Sequence, residues 1–166
     1  RHLKTRLPEE FAAFRPVSVL RTGVLGTTGV ESAALVRSVA ALVRPDRVVA
    51  VDALSARETA RLCKAVQVSD AGIVPGSGVG NARSALTQET LGVPVVAVGV
   101  PTVVDARTLC ADLTGSDASL PEGAEFFVTP RDIDSRVRDS ARLVGYAVNL
   151  ALHDALTIED IDMFLS

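Results

Sequence analysis

The sequence predicts an α/β protein built on a mainly parallel sheet. Short Val-rich runs alternate with Ala- and Leu-rich stretches of helical spacing, the order expected of strands covered by helices. Hydrophobic residues fill 48% of the 166 positions and aromatics only 4%, with no Trp, so Val, Leu and Ala must build the core. The run Val48-Val49-Ala50-Val51 closes on Asp52. That is a strand pattern ending on an acid, at the position where open α/β sheets place their ligands.

Arg1 to Thr5 reads as the tail of a helix, and Pro16 to Arg21 (PVSVLR) as a strand. Gly23, Gly26 and Gly29 then lead into a helix from Val30 to Val43, where Ala34, Leu35, Ser38, Ala41 and Leu42 recur at helical spacing. Glu31 complements the dipole of its first turn, and Pro45 stops it. Arg47 to Val51 forms the strand that closes on Asp52. A short helix is expected over Ala56 to Lys64 and a third strand over Ala65 to Ser69.

The loop Asp70 to Asn81 holds four glycines and a proline. One helical turn at Thr87 to Leu91 precedes Val93 to Val100, the most hydrophobic strand, where Pro94 is tolerated at the start. Pro101 to Asp105 leads into another helix, and Thr114 to Gly123 is a polar connector. Glu125 to Val128 is a short strand. Thr129 as N-cap, Pro130 at the first helical position and Asp132 start a helix running to about His153. Thr157 and Asp160 are spaced as a capping box for a last short helix.

The length fits a single α/β domain, 1–166, large enough for a real core. The net charge of −3, with a pI near 5.4 and mean hydropathy of +0.31, offers no broad basic patch and argues against nucleic-acid binding. Cys63 and Cys110 lack CxxC spacing and make no disulfide framework, which points to a reducing, cytoplasmic setting. The two histidines, His2 and His153, lie near the chain ends and argue against a histidine-rich metal site. No apolar run reaches the roughly 18 residues of a membrane span, and no secretion signal opens the chain.

Three constellations carry candidate chemistry. Gly23, Gly26 and Gly29 followed by Asp52 imitate a dinucleotide fingerprint, but the spacing is GxxGxxG and not GxGxxG, so glycines serving a tight turn are the competing reading. The loop Gly76-Ser77-Gly78-Val79-Gly80-Asn81 has consecutive amides that can form an anion nest or let a peptide backbone approach. It is not a P-loop, and Ser77 has no histidine partner for nucleophilic attack; a plain surface loop is the alternative. Asp52, Asp70 and Asp105 each follow an apolar stretch and are expected on one edge of the sheet, where two carboxylates can activate a water. Asp70 also suits a turn cap and Asp105 a helix N-terminus, whereas Asp52 has the poorest structural excuse of the three.

Several stretches resemble the bacterial spore germination proteases. They are Phe14-Arg15-Pro16-Val17-Ser18, Gly26-Thr27-Thr28-Gly29-Val30-Glu31, Val51-Asp52-Ala53-Leu54-Ser55-Ala56-Arg57 and Gln67-Val68-Ser69-Asp70-Ala71-Gly72. They continue with Pro75-Gly76-Ser77-Gly78-Val79-Gly80-Asn81, Glu89-Thr90-Leu91-Gly92-Val93-Pro94-Val95 and Gly99-Val100-Pro101-Thr102-Val103-Val104-Asp105-Ala106. Val128-Thr129-Pro130, Ile133-Asp134 and Asn149-Leu150-Ala151-Leu152-His153 complete the set.

The resemblance implies a three-layer α/β/α sandwich like that of the hydrogenase maturation proteases. It implies an endopeptidase that degrades small acid-soluble spore proteins at germination, in the spore core, made as a zymogen and acting as a homo-oligomer. It implies catalysis by two aspartates without cofactor or metal. One is matched by Asp52; the other lies upstream in a segment outside this chain, which then reads as a C-terminal fragment. The connector at Thr114 to Gly123 is shorter than the family's.

Arg57, expected one helical turn beyond Asp52, is a candidate to hold that carboxylate ionised, with a surface ion pair as its alternative. Gly76, Ser77, Gly78, Asn81, Asp70 and Asp105 are the candidate supporting or substrate-binding residues. The rival readings are a catalytically incomplete or non-catalytic binding remnant of the fold, and a nucleotide-binding α/β domain. A nickel-recognising maturation protease would want metal-binding side chains that neither histidine is placed to supply.

Overall fold

A computed structural model describes residues 5–81, 83–116 and 125–165. In chain order the elements are α1 (Pro8–Phe11), α2 (Leu25–Thr28), α3 (Ser32–Val43), β1 (Val48–Ala56), β2 (Gln67–Ser69), α4 (Gln88–Leu91), β3 (Val95–Asp105), α5 (Ala106–Thr114), β4 (Phe127–Val128), α6 (Ile133–Leu152) and α7 (Ile158–Leu165). Two 3-10 turns, Thr59–Arg61 and Ser77–Val79, lie between them. The expected helix tail at Arg1 to Thr5 and most of the connector at Thr114 to Gly123 fall outside the described residues. The chain gathers into two compact units, Leu20–Ile133 and a second made of Arg1–Val19 with Asp134–Ser166.

The Leu20–Ile133 unit holds the sheet, which is mixed. β1 and β3 are parallel, with Asp52 level with Gly99. β2 and β4 both run antiparallel to β3. The mainly parallel sheet expected from the alternation of elements therefore holds for the longest strand pair only. β2 follows β1 after the short connection at residues 57–66, which holds one 3-10 turn and no α-helix, whereas a parallel neighbour needs a crossover of about a dozen residues or more.

β3 is the centre of the unit. Val95, Ala97, Val98, Val100 and Val104 are buried, and successive burial means that both faces are covered. The strand runs past Val100 to Asp105, five residues beyond its expected end, although Pro101 lacks an N–H. The irregularity falls there: Leu54 pairs with Pro101, Ser55 with Val103, and Thr102 is skipped. A bulge at the donor-less residue lets the ladder continue. The freed Pro101 carbonyl accepts the Cys63 N–H at 2.7 Å.

Other expectations shift locally. Pro16 to Arg21 is not a strand; among the described residues no strand pairs with it, and Val19 is almost fully exposed. The helix expected at Ala56 to Lys64 is a single 3-10 turn, and β1 runs on to Ala56. In α3 the inward residue is Ala33, with Val36, Val39 and Ala40 half-buried, whereas Ala34, Ser38, Ala41 and Leu42 face solvent. The helix is apolar on two sides, so spacing alone did not select the packed one. Thr129 does not cap α6. Its hydroxyl donates to the Thr102 carbonyl at 2.8 Å, and the helix begins at Ile133.

In the other unit, α6 and α7 are joined by a polar cluster. The Arg142 guanidinium donates to Tyr146 Oη at 3.0 Å and to Asp162 Oδ1 at 2.6 Å, and the Tyr146 hydroxyl also donates to Asp162. Hydrogen bonding by Tyr146, then Arg142, holds the Asp162 carboxyl below the usual carboxylate range. His153 is buried against Phe14, and its Nδ1 accepts the Arg15 N–H at 3.2 Å. The expected capping box opens α7. Asp160 Oδ2 accepts from the Thr157 N–H at 2.9 Å, and Thr157 Oγ1 accepts from the Asp160 N–H at 3.2 Å.

Candidate functional site

Asp52 is the fifth of nine residues in β1, not the last. It is half-buried, and its Oδ1 accepts the Ala53 N–H at 2.9 Å, which leaves the other carboxylate oxygen open. β1 has β3 on one side only, and no strand among the described residues covers the other. Asp52 therefore opens into a cleft of about 490 Å³ between β1, α3 and two glycine-bearing segments. Val36, Val39 and Val51 give the cleft an apolar wall; Gly23, Glu31, Gly76, Asn81 and Arg83 bring the polar groups.

The 73–86 loop is shaped by its own hydrogen bonds. Ile73 and Leu86 exchange N–H···O bonds of 3.0 and 2.8 Å at its neck. Gly76 and Gly80 take positive φ, and the Val79 and Asn81 amides both donate to the Gly76 carbonyl. Those two amides are used inside the loop, as is that of Ser77, which donates to Val74. The anion nest expected of this run is therefore not formed by them. A Cβ at Gly76 would strike the Asn81 carbonyl, so the tight turn needs glycine there.

The three candidate acids do not meet. Asp105 lies six residues beyond Gly99 along β3, about 20 Å at roughly 3.3 Å per residue. It caps α5, with Oδ1 accepting the Arg107 N–H at 2.8 Å. Asp70 follows β2, on the far side of β3 from β1 and towards the start of that strand. It is exposed beside Thr87 and Glu89. The shared-edge expectation failed because β2 runs antiparallel and β1 continues past Asp52. Arg57 is likewise displaced. Residues 52–56 are extended rather than helical, which carries Arg57 about 16 Å along the chain. It is exposed and forms no ion pair with Asp52.

Gly76 and Asn81 do share the Asp52 cleft, and exposed Gly78 rests on Ser55. Ser77 is exposed in the same turn. The dinucleotide-like pattern is interrupted, because α2 lies between Gly23 and Gly29 and no strand precedes it among the described residues. Residues 23–29 thus do not pass directly from strand to glycine turn to helix, as that motif requires. No group of three His, Cys, Asp or Glu suited to a metal occurs among the described residues.

The germination protease family profile matches residues 1–115. The chain belongs to the germination protease family. It is 35% identical to the germination protease of Clostridium tetani over 199 aligned positions, covering all of this chain and 62% of that protein. Identity to the germination protease of Caldanaerobacter subterraneus is 37%, over 99% of this chain and 61% of the relative. A stretch of 113 positions, 68% of this chain, is 50% identical to the germination protease of Bacillus cytotoxicus and covers 31% of it. The chain thus spans about three-fifths of the length of the full-chain relatives. The Asp52 cleft is built wholly from the part matched by the germination protease family.

Sequence reasoning missed Glu31 and Arg83 as members of the cleft. Glu31 was read as a charge at a helix start, and its neighbour in space, Ser84, lies 53 residues away. Nothing local pairs the two.

Proposed function

We propose that this chain carries the catalytic Asp52 of an endopeptidase that degrades small acid-soluble spore proteins during germination. The observation that carries this reading is the position of Asp52: a half-buried carboxylate at the uncovered side of β1, open to a cleft in a germination protease relative. Paired aspartates do the chemistry. An ionised carboxylate takes a proton from the attacking water, and a protonated one donates to the departing nitrogen. Asp52 supplies one. Neither Asp70 nor Asp105 reaches it, and the family resemblance supports a partner aspartate from a segment upstream of these residues.

The apolar wall of the cleft suits an extended peptide, and the Gly76–Asn81 turn limits its path. Family resemblance further supports the α/β/α layering of the hydrogenase maturation proteases, a zymogen form, an oligomer and a spore-core setting. The test is incubation of the full-length protein with a purified small acid-soluble spore protein. Discrete internal cuts are expected. An intact substrate that nevertheless binds would favour a non-catalytic remnant of the fold.

A further inference from the structure

We infer that Glu31 is a positioning residue: it straps the 73–86 loop to the start of α3 and so holds Gly76 and Asn81 at the Asp52 cleft. Glu31 occupies the N-cap position of α3 but makes no cap bond to that helix. Both carboxylate oxygens turn instead to Ser84. The Ser84 N–H donates to Oε1 at 2.9 Å and its hydroxyl donates to Oε2 at 3.1 Å.

The loop needs such an anchor. Its neck bonds, Ile73 with Leu86 and Arg83 N–H to the Pro75 carbonyl, tie it to itself. Among the described residues, its hydrogen bonds to α3 and β1 are the two from Ser84 to Glu31. Its other hold on β1 is the contact of Gly78 with Ser55. Bonds to a charged acceptor are stronger than neutral ones, and a bidentate pair fixes direction as well as distance. Arg83 and Arg37 face the same carboxylate and add attraction. Glu31, Arg83, Gly76, Asn81 and Asp52 all line one cleft, so a loop released from Glu31 would move the cleft wall opposite the reacting group.

This rests on the peptidase reading above, and its test separates the two. The full-length protein, Glu31→Ala and Glu31→Gln are compared by amide hydrogen exchange and by cleavage of spore protein. In Glu31→Ala the Ser84 amide should exchange at least about tenfold faster and kcat/KM should fall on the order of tenfold, as for a misplaced site. Glu31→Gln keeps an acceptor oxygen and should restore both to within about threefold, with the pH–rate profile unchanged in shape. Unchanged Ser84 exchange in Glu31→Ala would overturn the strap. A limb lost from the Glu31→Gln profile would make Glu31 a proton-transfer group and overturn the positioning role. If the unaltered protein does not cleave, the peptidase reading falls and Ser84 exchange alone decides the strap.

Discussion

Gly78 lies against Ser55: a Cβ built on the glycine would fall 2.9 Å from the Ser55 Cβ and 3.2 Å from its amide nitrogen. The glycine loop therefore touches β1 three residues beyond Asp52. Only a residue without a side chain allows this approach.

Gly78→Ala should lift the loop off β1. Because the residue is exposed, the loop can give way, and the expected loss of folding stability is under about 1 kcal/mol. Cleavage should fall on the order of tenfold, since the cleft wall moves. Adding Ser55→Gly should recover part of that loss, a coupling read by a double-mutant cycle. Equal activity of Gly78→Ala and the unaltered protein would show that the contact does not shape the site.

The core and the outer face of α3 predict opposite outcomes. Val104 is fully buried in β3, and Val104→Ala should cost about 2 kcal/mol in urea denaturation. Leu42 is 84% exposed, and Leu42→Ala should stay within about 0.5 kcal/mol. A reversed ranking would mean that α3 packs by its other face.

The capping box of α7 gives a third measurement. Thr157→Ala removes the acceptor of the Asp160 N–H and should cost about 1 kcal/mol, seen as earlier loss of helical circular dichroism in urea. Thr157→Ser keeps the oxygen and should preserve most of the stability. A serine variant as weak as the alanine variant would argue against the cap.

Acid should destabilise the fold. Ser84 hydrogen bonds to Glu31, the Thr59 N–H to Asp112 and the Thr157 N–H to Asp160 each hold a carboxyl below its usual range. A folded pKa below the unfolded one contributes stability that is full above the unfolded value of about 4. It is lost as pH falls through the lower, folded value. The urea midpoint should be nearly level from about pH 7 to 5 as far as these groups go, then drop below about pH 4. A midpoint that rises on acidification would contradict the assignment.

Much of the frame was legible in the residues. The Val48–Val51 run, the apolar stretch from Val95 and the Thr157–Asp160 box each carry their signal locally, in β-branched content or cap chemistry. What was not legible depends on pairing between distant residues. Whether Val17 and Val19 become a strand depends on a partner strand, and none pairs with them among the described residues. The direction of β2 decides where Asp70 falls, and three residues of sequence do not state a direction. Asp52 was visible because an acid on a Val run needs a reason; Glu31 was not, because an acid at a helix start already has one.

The most direct test of the central claim is Asp52→Asn in the full-length protein, assayed on a small acid-soluble spore protein. The substitution keeps size and shape and leaves an oxygen for the Ala53 N–H, so the circular dichroism spectrum and urea midpoint should barely change. Cleavage should fall by at least about a hundredfold, the loss of a general acid–base group. Cleavage at the unaltered rate by a folded Asp52→Asn protein would contradict the account.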